Sequence, residues 1–275
     1  MGSLPEHKIP VIDFTNKNLK PGTDSWMLAC KQVRHALEEY GCFEVVYDKV
    51  PIELHNSIFA SMKDLFDLPL ETRMQKTSDK PYHSYLGQFP IIPRYENLGM
   101  ENPTTQEGAQ NFAYVMWPAG GNHSYGVVRL YESYIASTSY LLRFIKYRRS
   151  QTNESELGIM GHTDKTFFSI LHQRQKGLEV KTKDGHWIAL KPSPSSFVFL
   201  AGDILQAWSN DRVRAGEHQV IIKEAEERYS LGFFSFINRE HPLRYKSIDH
   251  FNFLLFNQTE EGRKSTFPIK VFCGV

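Results

Sequence analysis

Cysteine is scarce in this sequence, which has only Cys30, Cys42 and Cys273 among 275 residues. Three cysteines are too few, and odd in number, for the disulfide framework of a small secreted domain, so we expect a reducing compartment and a cytoplasmic protein. Long apolar runs are also missing. None approaches the roughly 20 residues that a membrane-spanning helix needs, and the first ten residues lack the apolar segment of a signal peptide. We therefore expect neither a membrane anchor nor a leader.

An excess of charge of one sign is absent as well. The sequence has 32 lysines and arginines against 31 aspartates and glutamates, a formal net charge of +1. A balanced total does not favour a nucleic-acid groove or a polybasic membrane surface, so neither partner is expected. With 41% hydrophobic residues, the chain is globular and long enough to bury a large core.

The first part of the chain predicts helices separated by short strands. Apolar residues recur at steps of three and four from Trp26 to Tyr40, and Gly41 follows where a C′ glycine would end a helix. A second helical pattern begins after Pro51 and ends before Pro69. Residues 9–14 and 42–48 are interpreted as strands.

From about residue 111 the pattern changes to short β-rich runs, of which residues 111–117 are the first. Asp184 and Gly185 separate two such runs and predict a hairpin. Many short strands at this spacing are typical of a sandwich, a barrel or a jelly roll. The fold class is therefore mainly β with flanking helices: a helical N-terminal region (residues 1–110) packs on a β core (residues 111–275) that ends in a helix.

The stretch Gly-His-Thr-Asp at residues 161–164 suggests a metal site. On a strand, residues two apart share a face, so His162 and Asp164 would point together. His218 begins a later apolar run, and an antiparallel return would bring it beside them. Two histidines and one carboxylate on one face of an ion form the triad of non-haem Fe(II) oxygenases. Zinc hydrolases use the same ligand types, so the spacing leaves the metal open.

A pair of candidate carboxylate-binding residues begins ten residues after His218. Arg228 and Ser230 would share a strand face, and a buried guanidinium beside a hydroxyl can bind a carboxylate. An Arg-x-Ser sequence is common and carries little information by itself. Next to an open metal site, however, it suits a dicarboxylate that chelates the metal with its other end.

Together these motifs resemble the plant 2-oxoglutarate- and Fe(II)-dependent dioxygenases. The family pattern is His-x-Asp, His, Arg-x-Ser, and the intervals here are 218 − 162 = 56 and 228 − 218 = 10 residues. IPVIDF, EEYGCFEVV and LFDLPLETR look like N-terminal signatures of the family. Within it, the sequence looks like the dioxygenases that produce alkenyl and hydroxyalkyl glucosinolates.

The resemblance implies a double-stranded β-helix, or jelly roll, with Fe(II) bound by His162, Asp164 and His218. The cosubstrate 2-oxoglutarate would meet Arg228, Ser230 and Tyr147 through its far carboxylate. With O₂, and with ascorbate as reductant in vitro, the enzyme would hydroxylate, desaturate, demethylate or cyclise a small plant metabolite. Succinate and CO₂ would be the other products, and we expect a monomer.

The resemblance also suggests a substrate pocket. Its expected lining residues are Tyr85, Phe112, Arg143, Lys165, Phe234 and Phe236. Ordinary core packing is the alternative for each aromatic residue, and buried cations are unusual unless they are paired or face a polar substrate. An aromatic pocket with one or two cations suits a natural product that carries an oxygen or acid group.

Some features depart from the family pattern. Of the usual Asn-Tyr-Tyr-Pro only Tyr147 is present, and the chain is short near residues 124–128 and 237–240, where we expect residues to be missing from the sequence. Two other functions stay open: a non-catalytic metal-binding jelly roll and a zinc hydrolase. Arg228 and Ser230 argue against both, because neither function needs a dicarboxylate receptor beside the metal.

Overall fold

A computed structural model describes residues 8–118, 138–149, 155–222, 226–237 and 249–273. The strands in these ranges are β1 (Val11–Asp13), β2 (Cys42–Val46), β3 (Tyr95–Glu101), β4 (Thr138–Tyr147), β5 (Glu156–His162), β6 (Phe168–Gln173), β7 (Leu178–Lys181), β8 (Trp187–Ala189), β9 (Ser196–Ala201), β10 (His218–Ile222) and β11 (Arg228–Ile237). The helices are α1 (Asp24–Glu39), α2 (Ile52–Asp67), α3 (Leu70–Met74), α4 (Gln106–Met116), α5 (Asp203–Trp208), α6 (His250–Phe256), α7 (Glu260–Lys264) and α8 (Pro268–Cys273). No helix in the described ranges has the length and apolar character to cross a membrane.

The strands form two sheets that enclose the main core. The larger sheet has the order β1-β2-β9-β6-β11-β4-β3, and the smaller one has the order β5-β10-β7-β8. From β4 to β11, successive strands alternate between the two sheets, except for the β7–β8 hairpin, as in a jelly roll. Apolar side chains from both sheets, such as Leu200, Val180 and Val220, form one buried cluster. The predicted mainly β core with flanking helices is confirmed.

The two long neighbouring strands β4 and β11 decide which side chains reach the interior. Alternate residues of β4, such as Leu141 and Tyr147, lie in the cluster between the sheets. Phe144 faces the opposite way and packs against Phe59 and the rest of α2 and α4 in a second cluster. The same alternation in β11 directs Arg228 and every second residue after it inward, because Arg228 pairs with Tyr147 in the register.

The helical predictions for residues 26–40 and 52–68 are confirmed by α1 and α2. The hydroxyl of Thr23 caps α1 by accepting a hydrogen bond from the backbone N–H of Trp26. Gly41 ends it with φ of +69°, and a Cβ there would lie 2.5 Å from the carbonyl oxygen of Arg214. The predicted hairpin is formed by β7 and β8, with Gly185 at φ of +90° in the turn.

One element was predicted wrongly. Residues 111–117 were expected to begin the β core, but residues 106–116 form α4. The hydroxyl of Thr105 accepts a hydrogen bond from the N–H of Gly108 at 3.0 Å and so caps the helix. Ala109, Phe112 and Met116 then fall on one buried face at helical spacing. The aromatic content of the segment favoured a strand, but the cap and this spacing determine the helix.

The first 110 residues also contribute to the sheets. Strands β1, β2 and β3 come from this part and pair within the larger sheet, so the N-terminal region and the β core share one structure. The boundary at residue 110 stays a prediction. Gaps were expected near residues 124–128 and 237–240. Residues 124–128 and 238–240 lie outside the described residues, and Ile237 is the last residue of β11.

A buried carboxylate connects α3 to the edge of the larger sheet. Glu96, only 2% exposed, pairs with Arg73 and accepts hydrogen bonds from Arg148 Nε and Tyr85 Oη, both at 2.8 Å. Burial raises the pKa of Glu96, but the hydrogen bonds from Tyr85 and Arg148 and the charges of Arg73 and Arg148 hold it below its ordinary value of 4.5. Glu96 is therefore ionised and fully paired at neutral pH.

We predict that Glu96→Gln lowers the free energy of unfolding by about 3 kcal/mol at pH 7, because it leaves the buried Arg73 guanidinium and the partly exposed Arg148 guanidinium without their counter-charge. Urea denaturation measures this value. Since the folded pKa is depressed, the ion-pair contribution is present above pH 4.5 and is lost as the pH falls through the lower folded value. The matched control is Glu53→Gln, on the exposed first turn of α2. Equal stability of the two variants would contradict the assignment.

Candidate metal centre and cosubstrate site

The three predicted metal ligands converge at the end of the smaller sheet. His162 is the last residue of β5 and His218 is the first residue of β10, and the two face each other across the antiparallel pair. Asp164 follows two residues after His162. One ligand atom from each of the three lies within 4.8 Å of the others. The expected antiparallel return is confirmed, but β5 ends at His162, so the turn after the strand, not strand alternation, directs Asp164 to the same point.

Hydrogen bonds orient the two imidazoles. The Nδ1 atoms of His162 and His218 lie 2.8 and 2.9 Å from the carbonyl oxygens of Met160 and Gly216. A carbonyl oxygen only accepts hydrogen bonds, so each Nδ1 carries the proton and each Nε2 keeps its lone pair. Both histidines therefore present the nitrogen that a metal needs. Burial is the main cause that lowers the pKa of His162, and the charge of the neighbouring His218 lowers it as well. The lowered pKa favours the neutral form of His162.

Asp164 is held by a partner that the sequence analysis did not include. The Ser169 hydroxyl donates to Asp164 Oδ2 at 2.6 Å, and Asp164 Oδ1 lies 3.8 Å from His162 Nε2. Burial alone would raise the pKa of Asp164. The charges of His218 and His162 and the hydrogen bond from Ser169 outweigh this effect and hold the pKa below its ordinary value, so the carboxylate is ionised. Ser169 lies on the inward face of β6, and the strand period is the signal that could have indicated it.

This donor set suits a first-row divalent ion. Two imidazole nitrogens and one carboxylate oxygen are ligands that Fe(II) accepts, and three ligands from one side leave the other side free for further ligands. Thiolates would have favoured zinc or an iron–sulfur cluster. Cys42, the buried cysteine, belongs to the main core cluster and is not part of the ligand group. The residues present therefore fit a ferrous ion.

The predicted carboxylate receptor is also assembled. Arg228, Ser230 and Tyr147 are each 3–4% exposed. Arg228 Nη1 donates to Ser230 Oγ at 3.3 Å, and its guanidinium lies over the Tyr147 ring, 5.2 Å from the centroid. Burial raises the pKa of Tyr147, so its hydroxyl stays protonated. Among the described residues, no carboxylate pairs with Arg228, which leaves a buried cation and two hydroxyl groups to receive one.

Gln173 is a further polar residue of this receptor that the sequence analysis missed. Its Oε1 accepts a hydrogen bond from Arg228 Nη2. Arginine has only donors, so the amide oxygen must face the guanidinium and the NH₂ group must point away from it. That nitrogen is buried and has no hydrogen-bond partner among the residues that the structure describes. Gln173 shares the inward face of β6 with Ser169, so the same period of two could have indicated it.

The predicted pocket residues divide into two groups. Arg143, Phe234 and Phe236 face inward, with the Arg143 guanidinium 4.7 Å from the centroid of the Phe234 ring. Phe112 instead packs on Phe144 in the second cluster, on the outer face of β4. Its position follows from α4, the helix that was expected to be a strand.

Tyr85 and Lys165 also have structural partners. The Tyr85 hydroxyl donates to Glu96, and its ring packs against the second cluster. Lys165 Nζ donates to Asp203 Oδ2 at 2.7 Å and to Thr163 Oγ1 at 3.1 Å. The carboxylate of Asp203 neutralises this cation, so Lys165 differs from Arg143 in having a counter-charge.

Comparison with known proteins agrees with this geometry. The 2OG-Fe(II) oxygenase superfamily matches residues 137–237, and the family described as non-haem dioxygenase in morphine synthesis N-terminal matches residues 9–115. A probable 2-oxoglutarate-dependent dioxygenase of Arabidopsis thaliana, AOP1.2, is 36% identical over 310 residues, covering 96% of this chain and 95% of the relative. This alignment is longer than the 275 residues of the chain, so the relative has residues without a counterpart here.

Solved structures share the fold. The dioxygenase for auxin oxidation 1 from Arabidopsis thaliana, in its complex with 2-oxoglutarate, superposes with a TM-score of 0.75 at 24% identity, over 85% of this chain and 94% of that one. JOX2 in complex with 2OG, Fe and JA superposes with a TM-score of 0.68 at 20% identity, over 96% of this chain and 88% of that one. With the family matches and the 36% identical relative, these findings place the chain in the family of 2-oxoglutarate- and Fe(II)-dependent dioxygenases.

Proposed function

We propose specific roles for the assembled residues. Fe(II) is held by His162 Nε2, His218 Nε2 and a carboxylate oxygen of Asp164. The far carboxylate of 2-oxoglutarate is held by Arg228, Ser230 and Tyr147. The observation that supports this most is that ligand atoms of His162 on β5, His218 on β10 and Asp164 in the segment after β5 lie within 4.8 Å of one another. The chain also buries a guanidinium without a carboxylate partner among the described residues.

The substrate is proposed to be a small plant specialised metabolite. Fe(II), when bound, supplies the O₂ chemistry, in which 2-oxoglutarate becomes succinate and CO₂ and one oxygen atom goes to the substrate in a hydroxylation. Desaturation, demethylation and ring closure are alternative outcomes for the substrate. Curated relatives include 2-oxoglutarate-dependent dioxygenases of Arabidopsis thaliana, which supports this substrate class. Inward-facing Phe234, Phe236 and Arg143 are the proposed pocket residues.

The chain's own residues position the reactants and control protonation. The carbonyl oxygens of Met160 and Gly216 keep both ligand histidines in the tautomer that can bind metal. Ser169 fixes one oxygen of Asp164, so the other is directed at the metal position. The core between the sheets excludes water from the Arg228 guanidinium, which strengthens its attraction for a carboxylate.

Gln173 is proposed as a fourth group that binds the far carboxylate. Its NH₂ donor is buried without an acceptor among the described residues, and an unsatisfied buried donor costs about 1–3 kcal/mol. An oxygen of the cosubstrate carboxylate, held next to Arg228, would satisfy this donor. The cost in the free protein would then be recovered when 2-oxoglutarate binds.

Three broader features are also proposed. Residues 1–110 and 111–275 act as one functional unit, which is supported by the strands that the first part contributes to the larger sheet. The protein acts as a monomer in the cytoplasm, in line with its small number of cysteines. A non-catalytic metal-binding jelly roll and a zinc hydrolase are less well supported, because neither requires Arg228 beside the metal.

We expect succinate to form from 2-oxoglutarate in the presence of Fe(II), O₂ and ascorbate, and to increase with a plant metabolite extract. Asp164→Ala should reduce the rate below about 1% of the parent, because a metal ligand is lost. Arg228→Ala should mainly raise the KM for 2-oxoglutarate, by about tenfold or more, since a charge-assisted hydrogen bond is removed. Mass spectrometry of the extract would show products that differ by the gain of oxygen or loss of hydrogen.

Matched controls for these variants lie on the surface of the N-terminal helices. Asp67→Ala and Arg34→Ala each remove one member of an exposed i,i+4 ion pair and should behave like the parent. Parent-like succinate formation by Asp164→Ala and Arg228→Ala would show that the assignment is wrong.

Ser169→Ala should weaken metal binding by about 10- to 100-fold without removing a ligand, because the carboxylate of Asp164 loses its orienting partner. Anaerobic titration with Fe(II), or with Mn(II) followed by electron paramagnetic resonance, measures the Kd. The control is Ser235→Ala on β11, since the Ser235 hydroxyl is equally buried but has no hydrogen-bond partner within the described ranges. A similar Kd for both variants would exclude this role for Ser169.

A further inference from the structure

Arg143 lies at a position where both neighbouring strands have glycine. It is on the inward face of β4, opposite Gly232 of β11 and Gly99 of β3. A Cβ at Gly232 would lie 2.4 Å from the Phe234 ring, and one at Gly99 would lie 2.7 Å from the carbonyl oxygen of His83. Without side chains on either side, there is room for the long Arg143 side chain and for the Phe234 ring beneath it.

The contacts of Arg143 leave part of its hydrogen-bonding capacity unused. Its Nη2 donates to the carbonyl oxygen of Tyr82 at 3.0 Å, and the guanidinium stacks on the Phe234 and Tyr82 rings. Its Nε is buried and has no hydrogen-bond partner in the described part of the chain. Guanidinium has five donors in a planar arrangement that matches an oxyanion. Within the described ranges, no carboxylate lies within ion-pair distance of it.

The other cations near the centre differ from Arg143 in their charge balance. Lys165 is neutralised by Asp203. In the loaded enzyme, the charges of the ferrous ion and Arg228 are offset by Asp164 and by the two carboxylates of 2-oxoglutarate. Arg143 has no such counter-charge among the described residues, although it lies on the inward face of β4, the strand that also carries Tyr147. Within the described ranges, this partly buried cation therefore has no counter-ion, and a further anion would supply one.

We infer that Arg143 binds an oxyanion of the substrate, a carboxylate or a sulfate, and that the apolar body of the substrate packs beside Phe234. The enzyme therefore selects anionic metabolites over neutral ones of the same shape. This inference rests on the proposed function, because it assumes that the substrate binds beside the metal centre. A purely structural arginine, held by its hydrogen bond to the carbonyl oxygen of Tyr82 and by its stacking on Phe234 and Tyr82, would show no such selection.

Isothermal titration can test the selection with probes of one shape and different charge. The full chain is loaded with Mn(II) and saturating 2-oxoglutarate, so that Arg228 is already occupied, and titrated with 3-phenylpropanoate, 3-phenylpropane-1-sulfonate and 3-phenylpropanamide. At least one anion should bind about tenfold or more tightly than the amide. The better anion identifies the carboxylate or the sulfate as the group recognised. Arg143→Met should reduce the preference to less than about twofold, and Arg143→Lys should keep part of it.

Arg34→Met is the control, because Arg34 is 71% exposed on α1, and it should retain the full preference. Equal binding of anion and amide to the parent, no binding of either anion, or an unchanged preference in Arg143→Met would each overturn the inference. Equal binding of anion and amide to the parent would overturn the inference even if Arg143→Met does not fold. A parent that makes no succinate from 2-oxoglutarate with Fe(II) would instead refute the proposed function, so the two failures are distinguishable.

Discussion

The pairing of β5 with β10 is the constraint on which the site depends. It places His162 directly opposite His218, with their ring centroids 4.4 Å apart. Backbone hydrogen bonds between the strands set this separation, and backbone carbonyls set the tautomer of each ring. The ligand nitrogens are therefore positioned by the sheet before any ion arrives, which reduces the conformational entropy lost when a metal binds.

The interior between the two sheets combines an apolar core with a few buried polar groups. Leu200, Val220 and similar residues exclude water, and this exclusion strengthens the electrostatic interactions of the buried Arg228. The same exclusion makes unsatisfied donors costly, so the free NH₂ of Gln173 and the free Nε of Arg143 are informative. They are two of the buried polar atoms without a hydrogen-bond partner among the described residues, and we propose that bound ligands complete their hydrogen bonding.

The outer face of the larger sheet packs against helices and does not carry the site. There α2 and α4 cover the apolar side chains of β3, β4 and β11, and the carboxylate of Glu96 joins Arg73 to Arg148 at the edge. His55 and His172, 117 residues apart, form a hydrogen bond across the contact between α2 and β6. The N-terminal region thus supports the rear of the strands whose front faces carry the site.

Local patterns in the sequence determined much of this protein. The capped amphipathic helix α1, the hairpin at Gly185 and the short strands follow from spacing and turn residues that act over a few positions, and His-x-Asp, His and Arg-x-Ser could be recognised in the same way. Only the tertiary structure decided which cations and amides have partners. Lys165 is neutralised by Asp203, Gln173 meets Arg228 across 55 residues, and Phe112 turns away with α4. These outcomes depend on contacts between distant segments, whose geometry local periodicity does not specify.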